Sequence, residues 1–226
     1  DTSPGHYLGD AYKAGTALWA KKTHYLNRYT DTDLWRAARS GRRGVTADDA
    51  GAAFDGYTLY TTGDGPRAVL IDMGGRVVHQ WRRPFSTVWD RTAAVRKPQP
   101  DDLIYMRKAR MFPNGDLLAI YIAAGDTPWG YGMVMLDSRS HIKWRYLQHT
   151  HHDFDVGPDG RVYALIQHFS SVTLKGLEFL DKPYMEDVLA ILSPDGKEQK
   201  RISLLRAVAA SPYRRLLYAT PRFAAA

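Results

Sequence analysis

The pattern of apolar and polar positions changes character near residue 54. Before it, ALWAKKTHYL and the stretch from Thr32 through DLWRAARS read as helices. Asp31 or Thr32 is placed to cap the second, and Arg36 and Arg39 fall toward its C-terminal end, where the helix dipole favours cations. SGRRGVTADDAGAAF then reads as a loop. From Phe54 onward, short strand-like runs take over. GYTLYTT, PRAVLIDM and GRVVHQWRR are separated by GDG and GG; DLLAIYI, GMVMLDS and HIKWRYL follow, and then RVYALIQHF, DVLAILS and KEQKRISLL.

These runs form an internal repeat. FPNGDLLAIY at 112–121 and GPDGRVYALI at 157–166 each feed an apolar strand from a turn, with a weaker earlier copy, FDGYTLYT, at 54–61. The turn triplets Pro113-Asn114-Gly115 and Pro158-Asp159-Gly160 are offset by 45 residues. Asn-Gly and Asp-Gly are strong hairpin signals because both central turn residues need positive φ. The second part of the repeat is a strand, a turn and a further strand: VLIDMGGRVVHQW at 69–81, VMLDSRSHIKW at 134–144 and AILSPDGKEQKRI at 190–202. Four antiparallel strands per unit of about 40–50 residues is the signature of a β-propeller blade. The expected fold is therefore all-β: a partial propeller of about three blades over residues 54–226, with a basic helical or irregular extension over residues 1–53. The competing reading is a small open β-meander or sandwich. Propellers have about 4–8 blades, so the ring is not closed by this chain alone. The stretch RISLLRAVAASPYRRLLYATPRF turns helical or irregular.

Composition sharpens the picture at a few points. Of 226 residues, 44% are apolar, enough for a buried core, and the 14 Tyr and 6 Trp suit an all-β protein. The net charge of +7 is uneven: residues 13–43 hold Lys13, Lys21, Lys22, Arg28, Arg36, Arg39, Arg42 and Arg43 against Asp31 and Asp33. Such an arm suits an anionic membrane surface or an acidic partner protein, or is simply a solvated segment. Nucleic acid is set aside, since no basic run is interleaved with stacking aromatics and no zinc finger, helix-turn-helix or RNA-binding signature occurs. The absence of cysteine excludes disulfides and thiolate metal sites. No apolar run approaches the ~20 residues of a membrane span. The chain opens on Asp1 and stops at RFAAA, from which a protein longer at both ends is expected, its front either a removed leader or anchor or a trimmed segment.

Residues 149–160, HTHHDFDVGPDG, crowd three histidines and two aspartates ahead of a turn. With that turn closing a hairpin, His151 and His152 fall opposite Gln167 and His168. Alternation then places His149, His151 and Asp153 on one face and His152 and Phe154 on the other. One repeat earlier, Arg107 stands at the position of His152 and Lys108 at that of Asp153. Equivalent positions of neighbouring blades ring one axis, so guanidinium and imidazole groups would share the channel mouth. Arg offers a planar fork to sulfate or carboxylate oxygens, and His can donate a proton, accept one or act as a nucleophile. Trp129 and Tyr131 are placed to hold an aromatic ring. Two other readings stay open: a metal site on His149, His151 and Asp153, and a purely structural polar strand end. His79 and His141 read as surface or packing residues, and Trp81 and Trp144 as packing between blades. Asp101-Asp102 and Glu186-Asp187 read as loop charges, and no Gly-x-Ser-x-Gly elbow or phosphate-binding loop is present.

GYTLYTTGDGPRAVLIDMGGRVVHQW, FPNGDLLAIY, HHDFDVGPDGRVYAL and ISLLRAVAASPYRRLL, running from about residue 54 to 217, resemble in order the bacterial arylsulfotransferase family that uses no activated sulfo-nucleotide. The resemblance implies a six-bladed propeller in the periplasm or outside the cell, often anchored at its N-terminus. It implies sulfo transfer between phenolic compounds through a sulfated histidine, in a pocket of histidines and an arginine, with no cofactor. His151-His152-Asp153 match a His-His-Asp motif that supplies pocket histidine in the family. The expected substrate-binding residues are thus His151, His152, Arg107 and His168, with no metal. The nucleophilic histidine and a further arginine are expected from later blades, beyond Ala226. The alternative is a non-catalytic scaffold or binding subunit of a membrane-associated complex, with a partner protein on the open propeller edge.

Overall fold

The computed structural model describes Tyr12, Gly15 and residues 39–42, 44–126 and 130–218. The two helices expected in residues 1–53 fall almost wholly outside them, as does most of the basic arm; residues 44–57 run as loops and turns. No helix among the described residues is long and apolar enough to cross a membrane.

The architecture is all-β, in three antiparallel sheets taken in chain order. The first holds β1 (Thr58–Thr61), β2 (Arg67–Ile71) and β3 (Val77–Arg82). The second holds β4 (Ile104–Met111), β5 (Leu117–Ala123), β6 (Gly130–Leu136) and β7 (Ile142–Tyr146). The third holds β8 (Thr150–Val156), β9 (Val162–Ser170), β10 (Tyr184–Leu192) and β11 (Glu198–Ser203). Each sheet is a meander in which sequence neighbours pair. At the Asn-Gly and Asp-Gly turns only the glycines are left-handed, Gly115 and Gly160 with φ of 82° and 78°; Asn114 and Asp159 keep negative φ, so these hairpins are not the two-residue turns in which both central residues are left-handed. Helix α1 (Leu204–Ala209) follows β11, capped by the Ser203 hydroxyl, which accepts from Arg206 N–H.

The sheets stack face on face. One face of the second sheet (Leu117, Ala119, Tyr121, Val134, Leu136) joins Ala68, Leu70 and Trp81 of the first in one core. Its other face (Leu118, Ile120, Met133, Met135) joins Phe154, Ala164, Ile166, Val188, Ala190 and Leu192 of the third in another. The two faces alternate along each strand, as pleating requires. The segment between β3 and β4 plugs the first core with Phe85, Val88 and Val95, and Arg145 clasps that segment through an ion pair to Asp90 at 2.7 Å.

The outer strands fasten each sheet to the next. Trp81 Nε1 donates to Gly115 O at 3.1 Å, and Trp144 Nε1 donates to Pro194 O at 3.0 Å. Both indoles thus lie between successive sheets, in line with the sequence reading. The fit at Trp144 is tight: a Cβ on Gly196 would come within 2.5 Å of its ring. His79 Nε2 lies 2.8 Å from Ser138 O, and His141 is exposed beside Asp137 at 3.0 Å.

Candidate functional site

The expected site residues gather on β4 and β8, the first strands of the second and third sheets. Both strands bulge at the same place in the repeat. In β4, Met106 pairs with Tyr121 and Lys108 with Ile120, so Arg107 is the extra residue. In β8, Thr150 pairs with Ile166 and Phe154 with Ala164, so three residues of β8 oppose one of β9. His152 takes φ of 55°, a left-handed conformation uncommon outside glycine and enriched in His.

The bulge overturns the simple alternation expected for this stretch. Thr150 and His151 are both buried, His152 and Asp153 are both exposed, and Phe154 is buried. His151 and Asp153 therefore do not share a face. The expected opposition to Gln167 and His168 also shifts. His149 O accepts from Gln167 N–H at 3.1 Å, and His168 pairs with Glu186 on β10. His168 Nε2 lies 3.5 Å from a carboxylate oxygen of Glu186, which is buried and also accepts from the Ser203 hydroxyl. His168 thus belongs to a separate polar cluster on β9, β10 and β11. Glu186 and Asp187 lie on a strand rather than a loop, on opposite faces.

Adjacent strands meet through charges set one repeat apart. Lys108 pairs with Asp153 and donates to Phe154 O at 2.9 Å; Arg110 pairs with Asp155 at 2.9 Å. The Lys108 hydrogen bond is the leading cause holding the Asp153 carboxyl below its usual range, although burial opposes it. Arg107 and His152, one residue before Lys108 and Asp153, are both exposed at matching bulges of these adjoining strands.

Behind His152 stands a relay. His151 Nδ1 lies 2.8 Å from His152 Nδ1, so one ring donates and the other accepts. His151 Nε2 lies 3.2 Å from an Asp187 carboxylate oxygen, near enough for an ion pair yet not aligned as a hydrogen bond. The carboxylate favours the proton on His151 Nε2. His151 Nδ1 then accepts from His152 Nδ1–H, and the Nε2 lone pair of His152 faces outward. Burial is the main cause lowering the His151 pKa; Asp187 opposes it and the neighbouring His152 adds to it. Backbone approach fixes the strand here, since a Cβ on Gly130 would meet Thr150 O at 1.8 Å.

The alternative metal trio is drawn apart. His149 Nδ1 faces Gly130 O at 3.0 Å, Asp153 faces Lys108, and His151 faces His152 and Asp187. Among the described residues no group of three His, Asp or Glu side chains is arranged to hold a metal. Tyr131 is fully buried against Phe85 and donates to Asp126 at 2.5 Å, so it is core and offers no ring to a ligand. Trp129 lies outside the described residues. A cleft of about 300 Å³ lined by Arg96, Lys97, Asp126 and His149 escaped the sequence reading. Its only signal is the Arg-Lys pair in a loop far from HTHH in the chain.

No family model matches this chain, and no curated protein is similar to it at a significant level. Solved structures similar to it include BamB from Moraxella catarrhalis, at 16% identity and a TM-score of 0.30. That similarity covers 74% of this chain and 54% of BamB, so the chain spans about half of BamB's length. A likeness of this size assigns neither fold nor function.

Proposed function

We propose that the three sheets are successive blades of a β-propeller, and that the rim formed by β4 and β8 binds an anionic aromatic compound. The stacking order supports the propeller reading: each meander covers the next face on face, and the first strands of the second and third sheets adjoin. The activity proposed for such a rim, following the arylsulfotransferase resemblance, is sulfo transfer between phenols outside the cytoplasm. In this reading Arg107 holds the sulfate oxygens as a planar fork of donors. As the imidazolium, His152 donates its Nε2 proton to the bridging oxygen of the donor sulfate, and as the neutral ring it then takes the acceptor phenol's proton; the buried His151, beside the exposed Asp187, fixes its tautomer. The histidine that carries the sulfo group would be supplied by further blades, so this chain contributes binding. His168, expected beside His151, takes no part. The observation that carries the reading is the pair of matching bulges that expose Arg107 and His152 on adjoining strands.

Calorimetric titration with 4-nitrophenyl sulfate tests it. The chain binds the probe, and Arg107→Gln and His152→Gln each weaken binding about tenfold, the equivalent of about 1.4 kcal/mol. Equal affinity in all three proteins sinks the proposal. So does an absence of binding by the unmodified chain, which would favour the scaffold reading. That second reading draws on a separate observation, the exposed apolar side chains Tyr60, Val77 and Val78 of the first sheet and Phe169 and Met185 of the third.

A further inference from the structure

The cleft of about 300 Å³ lies where three connections between strands converge. The segment between β3 and β4 brings Ala94, Val95, Arg96 and Lys97; the turn between β5 and β6 brings Asp126; the crossing from β7 to β8 brings His149. Small-molecule sites span about 300–1,000 Å³, so this one suits a compact ligand.

Hydrogen bonds within the chain fix its walls. Ala93 and Val95 bury in the first core, while Ala94 N–H donates to Leu147 O at 2.8 Å. Trp89 Nε1 donates to Val95 O at 2.9 Å. Lys97 precedes Pro98 and Gln99 precedes Pro100, a pattern that favours extended backbone. Gln99 N–H donates to the Tyr131 hydroxyl at 3.1 Å, and that hydroxyl donates to Asp126 at 2.5 Å. Burial first, and then the Asp126 carboxylate, raise the Tyr131 pKa, so the proton stays on the phenol and the carboxylate keeps its direction. His149 Nδ1 donates to Gly130 O at 3.0 Å, since a carbonyl only accepts, and this holds the ring in the wall. A site fastened in this way binds without first having to order its own loops.

The charges in the lining are specific. Arg145, on the same segment's other side, meets Asp90 at 2.7 Å, whereas Arg96 and Lys97 form no ion pair among the described residues. Arg96 Nη1 donates to Arg91 O at 2.6 Å, which ties the guanidinium to its own loop and leaves further donors of the fork. Two fixed cations favour an anion, and a guanidinium matches a tetrahedral oxyanion best. The same lining holds the Asp126 carboxylate, which repels a bare anion. A ligand that carries a hydrogen-bond donor beside its anionic group satisfies both.

We propose that this cleft binds a small phosphate or sulfate monoester that also carries a hydroxyl group. Arg96 and Lys97 take the oxyanion, and Asp126 accepts from the hydroxyl. The site contains neither Arg107 nor His152, so it does not rest on the activity proposed for the rim.

Calorimetric titration of the 226-residue chain with the phosphate and sulfate esters of glycerol tests this. The unmodified protein binds, and the tighter of the two esters names the oxyanion. Methyl phosphate and methyl sulfate, which lack the hydroxyl, bind about tenfold more weakly than the matching glycerol ester. Arg96→Gln and Lys97→Gln each weaken the glycerol ester about tenfold. Both side chains are exposed, so an unchanged circular dichroism spectrum separates lost binding from a lost fold. Asp126→Asn keeps an acceptor for Tyr131 but removes the repulsion, so the methyl esters bind more tightly than to the unmodified protein. Absence of binding by the unmodified chain, or equal affinity in Arg96→Gln and Lys97→Gln, overturns the proposal. So does a loss that follows Arg107→Gln in their place, which would put the esters at the rim.

Discussion

The second and third sheets are two copies of one meander, yet they use their sequences differently. In the second, β5 (LLAIYIA) and β6 (GYGMVML) are apolar almost without interruption and buried almost throughout. In the third, β10 (YMEDVLAIL) alternates buried with exposed or half-buried residues along its whole length. The first pattern belongs to a strand covered on both faces, the second to a strand covered on one. Continuous and alternating apolarity therefore report a sheet's position in the stack, and the repeat stays the same beneath both. The comparison extends to the first strands. β4 (IYMRKARM) is basic and β8 (THHDFDV) is acidic and histidine-rich, and the difference becomes the seam that joins them.

The contrast between the two sheets is broken most strongly at equivalent core positions. Ile120→Ala in the second sheet removes a fully buried side chain and should cost about 2–5 kcal/mol in chemical denaturation. Leu165→Ala, its counterpart in the third sheet, should cost about 1 kcal/mol or less, because that side chain is only half-buried. Similar losses at the two positions would mean that the third sheet's outer face is covered in solution.

A smaller effect is expected from the histidine relay. The His151 pKa in the fold lies below its ordinary 6.5. The unfolded chain therefore takes up the proton first, and stability declines as pH falls through 6.5 toward the folded value. Asp153, Asp137 and Asp195 have lowered carboxyl pKa values and so act in a separate window, from 3.8 downward. Denaturation midpoints between pH 7 and 5 should fall for the unmodified protein and flatten for His151→Asn. An unchanged slope in the variant would remove His151 as the cause.

The smallest effect lies at the seam. Lys108 and Asp153 have side chains 40% and 62% exposed, so solvent screens their attraction. A double-mutant cycle on Lys108→Met and Asp153→Asn should give a coupling of about 0.2–1 kcal/mol, weakening with added salt. A coupling well above that would mark the seam as more enclosed than its exposure indicates.

Much of the fold was legible because it rests on local signals. The Asn-Gly and Asp-Gly turns, the offset of 45 between Gly115 and Gly160, and the recurrence of Trp81 and Trp144 are features of short segments, and all reappear as turns or contacts between sheets. The strand β4 was harder to see. Its apolar residues, Ile104 and Met106, bury at one end, while Arg107, Lys108 and Arg110 fill the other. Only pairing with β5 holds such a sequence extended. Within the site, the cluster HTHHDFD and its relation to Arg107 were visible, but the facing of each side chain was not. The bulge in β8 sets three residues against one of β9, so Thr150 and Phe154 keep one face while the residues between them no longer alternate.

The sequence by itself determined that this is a repeating, turn-rich antiparallel β protein, because turn chemistry and apolar periodicity act over a few residues at a time. It also determined which residue types stand at equivalent places, so that Lys108 was bound to fall near Asp153 once the repeats stacked. Only the tertiary structure decided that His151 is buried beside an exposed Asp187 while His152 faces outward. It likewise separated His168 from that pair and placed it on Glu186. These outcomes depend on bulges and cross-sheet contacts, whose energies are settled between strands distant in the chain. No local pattern records them.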